Sequence, residues 1–442
     1  MDGAATDRRW SEAARVYLEP RILGILILGF ASGLPLALTG GTLTMRLAEA
    51  GVQTAAIGFF AWVGLAYGWK FVWSPLVDRV SLPILTRRLG RRRGWLLLTQ
   101  LALVAAIVLL GLAAPEAGLA QVAALAVLVA FLSATQDIVI DAFRVELVSP
   151  DRQGAAAAML VIGYRLAMFA SGAGALLLAE WYGWSFAYAV MAALLLAAVA
   201  VTLALPEPAA PVEREAVGDR PGLGAWVERA VVAPFAEFFA RNGAASALLV
   251  LLFVVLYKLG DALLGALTSP LYVGLGFSKS EVAAIVKTWG LVAVLLGGVV
   301  GGLLVRRLGL LPGLWVCGIA QMASNLVFLL LWAAGHDNRV LALTITIENL
   351  AGGMGTTAFV AYLSSLCNVT YTATQYALLS SLMAQARTFL AGFAGLLQVS
   401  LGWPGFILLT AAAALPGLAL LRLLDRRVRS AGAPTPAALG VS

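Results

Sequence analysis

The chain consists of long apolar runs that are separated by short polar breaks. Runs of about 20 or more residues recur from one end to the other, and each is long enough to cross a bilayer core of roughly 30 Å as an α-helix. We predict twelve spans, with boundaries good to about four residues, at 21–46, 54–78, 94–114, 119–147, 155–180, 184–205, 243–272, 281–305, 310–334, 340–368, 374–401 and 403–424. The pattern therefore predicts an all-α polytopic membrane protein.

A polar segment from Pro206 to Asn242 separates the first six spans from the last six. Pro206, Pro208, Pro211 and Pro221 and a run of mixed charge interrupt the apolar pattern there, and residues 226–241 then alternate between apolar and charged at roughly helical spacing. We expect a cytoplasmic linker that contains one interfacial helix. The predicted domains are a tail at 1–20, a six-helix bundle at 21–205, the linker at 206–242, a second six-helix bundle at 243–424 and a tail at 425–442.

The two halves repeat each other weakly where one span ends and the next begins. The first half reads Leu-Ala-Leu-Thr39 and then Ala-Gly51-Val-Gln-Thr-Ala-Ala-Ile57. The second half reads Gly-Ala-Leu-Thr268 and then Leu-Gly276-Phe-Ser-Lys-Ser-Glu-Val-Ala-Ala-Ile285. Such repeats are expected of a transporter whose halves rock about a central site.

Composition excludes a soluble protein. Hydrophobic residues make up 61% of the chain and charged residues 12%, against roughly 25% charged in ordinary soluble proteins. Of the 30 Lys and Arg residues, 22 fall on the face that carries both termini, and only Arg46, Lys279 and Arg339 fall on the opposite face. This positive-inside bias predicts cytoplasmic termini, and it accounts for the net charge of +7 without a nucleic-acid partner.

The sequence does not favour an enzyme or a bound cofactor. Two cysteines, Cys317 and Cys367, and the single histidine, His336, are too few for a disulfide framework or a metal site. No loop outside the linker exceeds about 15 residues, which leaves little room for a catalytic constellation. No Walker phosphate loop is present, so we expect no ATP-driven step.

The densest group of polar residues inside the membrane lies between Ser133 and Arg165. Asp137 and Asp141 are four residues apart and share a helix face, and Arg144 lies nearly over Asp141. Asp137 and Arg165 both lie about 11 residues from the cytoplasmic ends of their spans, about 16 Å deep at roughly 1.5 Å per residue. We expect these two to face each other, directly or through water or substrate, with Asp141 as the competing partner. A purely structural pair is the alternative.

Other ionisable residues inside spans suggest further pairs. Lys258 and Asp261 are three residues apart on one helix, which would let them neutralise each other. Glu348 and Lys287 lie at similar depth, so a pair across two helices is open to them. Three glycines at 352, 353 and 355 follow Glu348 and would let helices approach closely or let the span bend.

The loop after the second span combines an acidic residue with a basic run. Asp78 and Arg79 end the span, and five further arginines follow between residues 87 and 93. This arrangement resembles the loop signature of the major facilitator superfamily, although the spacing is stretched. It predicts a cytoplasmic gate, and the alternative is a loop whose charges only orient the protein in the membrane.

Eight ordered strings resemble the AmpG muropeptide permeases, a family of the major facilitator superfamily. The strings are Phe30-Ala-Ser-Gly33-Leu-Pro35-Leu-Ala-Leu-Thr39, Lys70-Phe-Val-Trp-Ser-Pro75-Leu-Val-Asp78-Arg79, Arg91-Arg-Arg-Gly-Trp95, Ser133-Ala-Thr-Gln-Asp137-Ile, Gly163-Tyr-Arg165-Leu, Tyr257-Lys-Leu-Gly-Asp261-Ala, Glu348-Asn-Leu-Ala-Gly352-Gly-Met-Gly355-Thr and Ala373-Thr-Gln375-Tyr-Ala-Leu-Leu. The resemblance implies the major facilitator fold, with twelve helices in two six-helix bundles and a cavity lined by spans 1, 4, 7 and 10. It also implies a proton-driven importer in the bacterial inner membrane, which carries anhydromuropeptides to the cytoplasm for cell-wall recycling and, in some species, for β-lactamase induction.

A disaccharide-peptide cargo needs hydrogen-bond partners, cations for its carboxylates and one carboxyl group that takes a proton. The candidate substrate-binding residues are Gln136, Tyr164, Arg165, Lys258, Asn349 and Gln385. The candidate proton-coupling residues are Asp137, Asp141, Asp261 and Glu348, and the candidate gating residues are Asp78, Arg79 and Arg144. Tyr67, Tyr257, Trp62 and Trp289 are candidates for stacking on sugar rings, although helix-to-helix contact is the alternative for every amide and aromatic residue. We expect a monomer with no cofactor beyond the proton gradient.

Two other functions compete with this interpretation. The runner-up is a carrier of acyl-CoA or another solute, of the related acetyl-CoA transporter family. The third is a membrane-embedded transferase acting on lipid-linked sugars, which the short loops disfavour.

Overall fold

The computed structural model describes residues 16–149, 152–208, 236–237, 239–240, 243–366 and 372–430. All the secondary structure in these residues is helical. The first half contains α1 Pro20–Thr39, α2 Gly41–Glu49, α3 Thr54–Phe59, α4 Leu65–Trp69, α5 Ser74–Arg79, α6 Leu85–Leu89, α7 Arg91–Leu112, α8 Leu119–Leu147, α9 Gln153–Phe169, α10 Ala175–Tyr182 and α11 Trp184–Ala204. The second half contains α12 Ala244–Leu256, α13 Leu259–Gly274, α14 Lys279–Glu281, α15 Gly290–Leu308, α16 Leu310–Ala334, α17 Asn338–Leu366, α18 Thr372–Ala391, α19 Ala394–Ala412 and α20 Ala414–Ser430.

The helices include nine stretches in the described residues that are long and apolar enough to cross a membrane. The protein is therefore a polytopic membrane protein, and the count of twelve spans stays a prediction. The predicted second span is not one regular helix, because 3₁₀ segments at Phe60–Gly64 and Lys70–Val72 interrupt it. Three glycines and a proline in this stretch weaken the α-helix. The break predicted between residues 401 and 403 coincides with Gly402, whose φ is 67°.

The chain forms two compact units. The first contains residues 1–52, 63–216 and 278–283, and the second contains 53–62, 217–277 and 284–442. The predicted interfacial helix of the linker lies largely outside the described residues. The core of the first unit includes Ile25, Leu28 and Phe143, and that of the second includes Phe253 and Leu421.

Close helix packing in both units depends on glycines. In the first unit, a methyl group at Gly33 on α1 would lie 2.9 Å from the Cα of Tyr164 on α9. In the second unit, a methyl group at Gly353 on α17 would lie 2.8 Å from the backbone nitrogen of Gly298 on α15. Neither position has room for a side chain, which confirms the predicted close helix approach at Gly353. A methyl group at Gly352 would meet nothing within 4 Å, and one at Gly355 would meet the Gln321 side chain.

The internal repeat is visible in the backbone. Gly51 has a φ of 72° and donates its N–H to Ala48 O at 3.1 Å, while Gly276 has a φ of 84° and donates to Val273 O at 3.0 Å. The next residue in each half bonds five residues back, at 3.0 Å in both cases. Both helices therefore end in the same glycine-dependent C-cap. The two matched sequences make the same turn.

The arginines that follow the second span tie helix ends together. Arg92 is 3% exposed and binds Glu146 through both carboxylate oxygens, at 2.8 and 3.0 Å. Glu207 accepts hydrogen bonds from the backbone N–H groups of Arg92 and Arg93 at the start of α7, where a helix favours an anion. Arg93 in turn binds the carbonyl of Thr202 at 2.8 Å. These cations therefore stabilise the first unit.

Candidate functional site

Asp137 lies at the centre of a polar group in the first unit, which we call the Asp137 cluster: Ser32, Tyr67, Ser133, Gln136 and Asp137. Ser32 on α1 donates to Asp137 Oδ1 at 2.6 Å. Gln136 donates to the carbonyl of Ala31 at 3.0 Å, so adjacent residues of α8 bond adjacent residues of α1. Spacings of three and four residues place Ser133, Gln136 and Asp137 on neighbouring positions of the α8 surface.

The buried amide oxygen Gln136 Oε1 of the Asp137 cluster has no hydrogen-bond partner among the described residues. The Tyr67 hydroxyl and Ser133 Oγ, both buried, lie close to each other. Gln136 and Ser133 are both 0% exposed. A buried polar atom without a partner is costly, so such atoms mark places where water or a polar ligand binds. Tyr164 on α9 lies within electrostatic range of Asp137.

Asp141 makes a different contact from the one predicted. It lies 3.8 Å from Lys70 Nζ, in an ion pair whose side chains are 36% exposed for Lys70 and 56% exposed for Asp141. A pair this exposed contributes little energy. Arg144 is half-buried one helical turn further along α8.

The predicted direct pair of Asp137 and Arg165 is wrong. Arg165 is exposed on α9, and no ion pair within 4.0 Å joins it to Asp137, whose hydrogen bond goes to Ser32. Counting residues from the membrane surface sets the depth of each side chain but not its direction around the helix axis. A bridge between the two through water or substrate stays a prediction.

The second unit holds a matching polar group, which we call the Lys258 cluster: Lys258, Asp261, Gln321 and the carbonyl of Gly352. Lys258 Nζ lies 3.2 Å from Asp261 Oδ2 and 3.4 Å from Gly352 O, which confirms the predicted pair. Gln321 donates to the same carboxylate oxygen of Asp261. The lysine side chain is 8% exposed and that of Asp261 is 29% exposed.

The Lys258 cluster sits where a span is interrupted. α12 ends at Leu256 and α13 begins at Leu259, and Lys258 between them has φ −107° and ψ 10°. Discontinuous helices at membrane depth are common in transporter sites, because they free backbone groups and redirect side chains. Near this break, Gln321 Oε1 and Asn325 Nδ2 are buried without a hydrogen-bond partner.

Among the other candidates in the second unit, Asn349 bonds to near neighbours in the chain. Asn349 donates to Glu348 at 2.7 Å and to Ile345 O at 3.1 Å. No ion pair within 4.0 Å joins Glu348 to Lys287, so the suggested pair is absent. Gln385 Oε1 on α18 is buried without a partner, which leaves this amide able to bind a ligand.

Three of the aromatic candidates contribute to packing. Tyr257 donates to Leu314 O at 2.9 Å, Trp62 to Phe389 O at 3.0 Å, and Trp289 to Thr346 at 2.8 Å. Asp78 and Arg79 belong to α5, but their side chains lie outside the described part of the chain. The gate predicted there therefore stays a prediction.

Sequence reasoning missed Ser32 and the contact between Lys70 and Asp141. Ser32 lies in the string Phe30-Ala-Ser-Gly33, where an isolated hydroxyl in an apolar span was the available signal. Lys70 and Asp141 both lie inside predicted spans, at 54–78 and 119–147, but no depth argument joined them. Both contacts depend on how helices are rotated, which hydropathy does not report.

Comparisons with known proteins all point to membrane transporters. Residues 22–260 match the family model of the Major Facilitator Superfamily. The chain is 46% identical over 413 residues to the anhydromuropeptide permease of Escherichia coli K12. The alignment covers 93% of this chain and 81% of that protein. The chain is 39% identical over 419 residues to the putative transporter AmpG 4 of Rickettsia conorii, covering 94% and 99%.

Solved transporter structures share the fold. A bacterial homolog of the human lysosomal transporter Spinster, in an inward-facing and unoccupied conformation, aligns with a TM-score of 0.66 at 15% identity, over 94% of this chain and 98% of that one. The POT family transporter PepTSo aligns with a TM-score of 0.64 at 12% identity, over 93% and 99%. The relatives found by sequence are permeases and transporters of this superfamily, not enzymes.

Proposed function

Because the chain belongs to the AmpG permease family of the major facilitator superfamily, we propose that it imports anhydromuropeptides from periplasm to cytoplasm by proton-coupled alternating access. The cargo is the disaccharide-peptide that cell-wall turnover releases. The protein acts as a monomer in the bacterial inner membrane, with both termini cytoplasmic. The charge bias of the loops supports this orientation.

Unpartnered buried polar atoms support a cargo rich in hydroxyl and amide groups. Gln136 presents an amide oxygen in the first unit, and Gln385 presents another in the second. An amide both donates and accepts hydrogen bonds, as sugar hydroxyls do. Arg165 and Arg387 are cations within the spans that no described carboxylate approaches to within 4.0 Å, so they are available for the carboxylates of the peptide.

The observation that carries proton coupling is the partner of Asp137. Among the described residues, Ser32 alone donates a hydrogen bond to it, and no described cation lies within 4.0 Å of it. A serine hydroxyl donates to a carboxylate and accepts from a carboxylic acid, so the contact survives a change of protonation. Asp261, in contrast, already has two partners, the ammonium group of Lys258 and the amide of Gln321. We assign the proton to Asp137 rather than to Asp261.

Uptake into membrane vesicles tests the proposal. Labelled anhydromuropeptide should accumulate when a proton gradient is imposed, and an uncoupler should abolish the accumulation. Labelled acyl-CoA, the cargo of the competing family, should not accumulate under the same conditions. Accumulation of acyl-CoA alone would overturn the proposal, and accumulation of anhydromuropeptide without a gradient would remove the proton from it.

A further inference from the structure

Two short segments leave their own half and pack in the other unit. Residues 53–62 come from the first half but belong to the second unit, and residues 278–283 come from the second half but belong to the first. Each segment follows one of the two matched glycine turns, at Gly51 and Gly276. The exchange therefore occurs at equivalent points of the internal repeat.

Lys279 holds the second of these segments in the first unit. Its Nζ lies 2.7 Å from Glu49 Oε1 and 3.8 Å from Glu180 Oε2. Its backbone N–H also donates to Glu180, at 3.1 Å. The Trp184 ring centre lies 5.6 Å from Nζ, and the indole N–H donates to Glu49 Oε2 at 2.7 Å. We call Glu49, Glu180, Trp184 and Lys279 the Lys279 latch.

The Lys279 latch is partly shielded from water. The lysine side chain is 15% exposed, and those of Glu49 and Glu180 are 30% and 29% exposed. Charge-assisted hydrogen bonds are stronger than neutral ones, and the face of Trp184 attracts the cation further. Glu49 ends α2, Glu180 lies in α10 and Trp184 begins α11, so one lysine joins three helices of the first unit.

The chain departs from α-helical geometry where each exchanged segment returns to its own unit. The return at residues 62–63 falls within the 3₁₀ segment Phe60–Gly64. The return at residues 283–284 falls within the π-helix Val282–Trp289. Stretches of 3₁₀ and π geometry inside longer helices are frequent at hinges and functional sites. Each segment thus has a ready place to bend.

We propose that the Lys279 latch is a reversible closure on the periplasmic side of the transporter. When the protein opens to the periplasm, residues 278–283 leave the first unit by bending at the π-helix. The contacts of Lys279 with Glu49 and Glu180 then break, and water hydrates the three side chains. The contact re-forms when the protein opens to the cytoplasm. An ionic contact suits this role, because water hydrates both charged groups when the contact breaks and the cost of breaking it is therefore small. The inference rests on alternating access but not on the identity of the cargo.

Thiol labelling tests the latch without any substrate. Ala283 is 1% exposed within the exchanged segment, so Ala283→Cys, in a chain with Cys317 and Cys367 replaced by alanine, reports its release. Lys279→Gln should raise the labelling rate by about tenfold, as expected for the loss of a few partly buried polar contacts. Glu49→Gln should raise it less, and adding it to Lys279→Gln should have no further effect. Val282→Cys, 2% exposed, replaces the reporter where Ala283→Cys fails to reach the membrane.

The matched control is Arg339→Gln. Arg339 is a cation on the same face, and it is exposed; its backbone N–H binds Asp337, but no described carboxylate forms an ion pair with its guanidinium within 4.0 Å. Its loss removes the same charge and should leave the labelling rate unchanged. Equal rates for Lys279→Gln and for the unmodified latch, or equal increases for Lys279→Gln and Arg339→Gln, would overturn the proposal.

A cleavable crosslink distinguishes a moving latch from a fixed brace. Cysteines at positions 49 and 279 in the same background are joined by a short bifunctional maleimide that contains a disulfide. The crosslink should stop uptake, and reduction should restore it. Full uptake by the crosslinked protein would show that the contact never opens and would contradict the latch. Failure of the parent protein, in which the latch is intact, to carry anhydromuropeptide counts against the proposed cargo instead, and the labelling experiment still decides the latch.

Discussion

The Asp137 cluster and the Lys258 cluster differ in how their charges are satisfied. Asp137 receives one hydrogen bond, from Ser32, and has no described cation within 4.0 Å. Lys258 and Asp261 neutralise each other, and Gln321 and Gly352 O complete their hydrogen bonds. A serine hydroxyl can bind a carboxyl group in either protonation state, because it both donates and accepts hydrogen bonds. We therefore place the proton of the proposed mechanism in the first unit and expect the second unit to supply a fixed polar support.

Removing Lys258, the cation of the Lys258 cluster, should have the largest effect on stability and uptake. Lys258→Ala leaves Asp261 partly buried without its ion pair, which costs about 2 kcal/mol after allowance for the exposure of Asp261. We expect a lower melting temperature in detergent and loss of uptake. The double variant Lys258→Ala with Asp261→Ala should recover part of the stability, since it removes the orphaned charge. Equal melting temperatures for the single variant and the parent would show that the cluster is not a support.

Replacing Gln136, the amide of the Asp137 cluster, should affect the affinity for cargo more than the stability of the protein. Gln136→Ala removes one hydrogen bond to Ala31 O and one unpartnered acceptor, so we expect about tenfold weaker apparent affinity with normal membrane insertion. Gln100 is the matched control, because it is equally buried at 0% exposure and binds Thr202 away from the cluster. Unchanged affinity in Gln136→Ala, or an equal loss in Gln100→Ala, would reduce Gln136 to a packing residue.

The hydroxyl that binds Asp137 should affect the rate rather than the affinity. Ser32 contacts the carboxyl group of Asp137 and is not one of the residues proposed to bind the cargo. Ser32→Ala should therefore lower the maximal uptake rate about threefold to tenfold at unchanged apparent affinity. Ser32→Thr keeps the hydroxyl and should retain most of the rate. A change in affinity alone would move Ser32 from the proton site to the cargo site.

Neutralising the exposed pair beside the Asp137 cluster should have the smallest effect. Lys70 and Asp141 lie 3.8 Å apart with substantial exposure, and such pairs contribute at most about 1 kcal/mol. Uptake by Lys70→Gln should therefore stay within about twofold of the parent. A complete loss of uptake would make Asp141, rather than Asp137, the acid to examine.

Local sequence features predicted contacts between near neighbours in the chain, and contacts between helices depended on rotation. Spacing alone predicted the pair of Lys258 and Asp261, because Lys258 directly precedes the helix that holds Asp261 and a separation of three residues still brings the two side chains together. The matched glycine turns were likewise visible as strings in each half. The pair of Asp137 and Arg165 failed because equal depth on two helices does not make their side chains face each other.

Asp137→Asn tests the central claim most directly, because the amide keeps the size of the side chain and cannot take up a proton. The measurement is uptake of labelled anhydromuropeptide into vesicles, with an imposed proton gradient and, separately, as exchange against unlabelled cargo without a gradient. We predict that gradient-driven uptake is lost while exchange persists, since cargo binding and alternating access do not need the proton. Full gradient-driven uptake by Asp137→Asn would contradict the assignment, and loss of both activities would make Asp137 a structural residue.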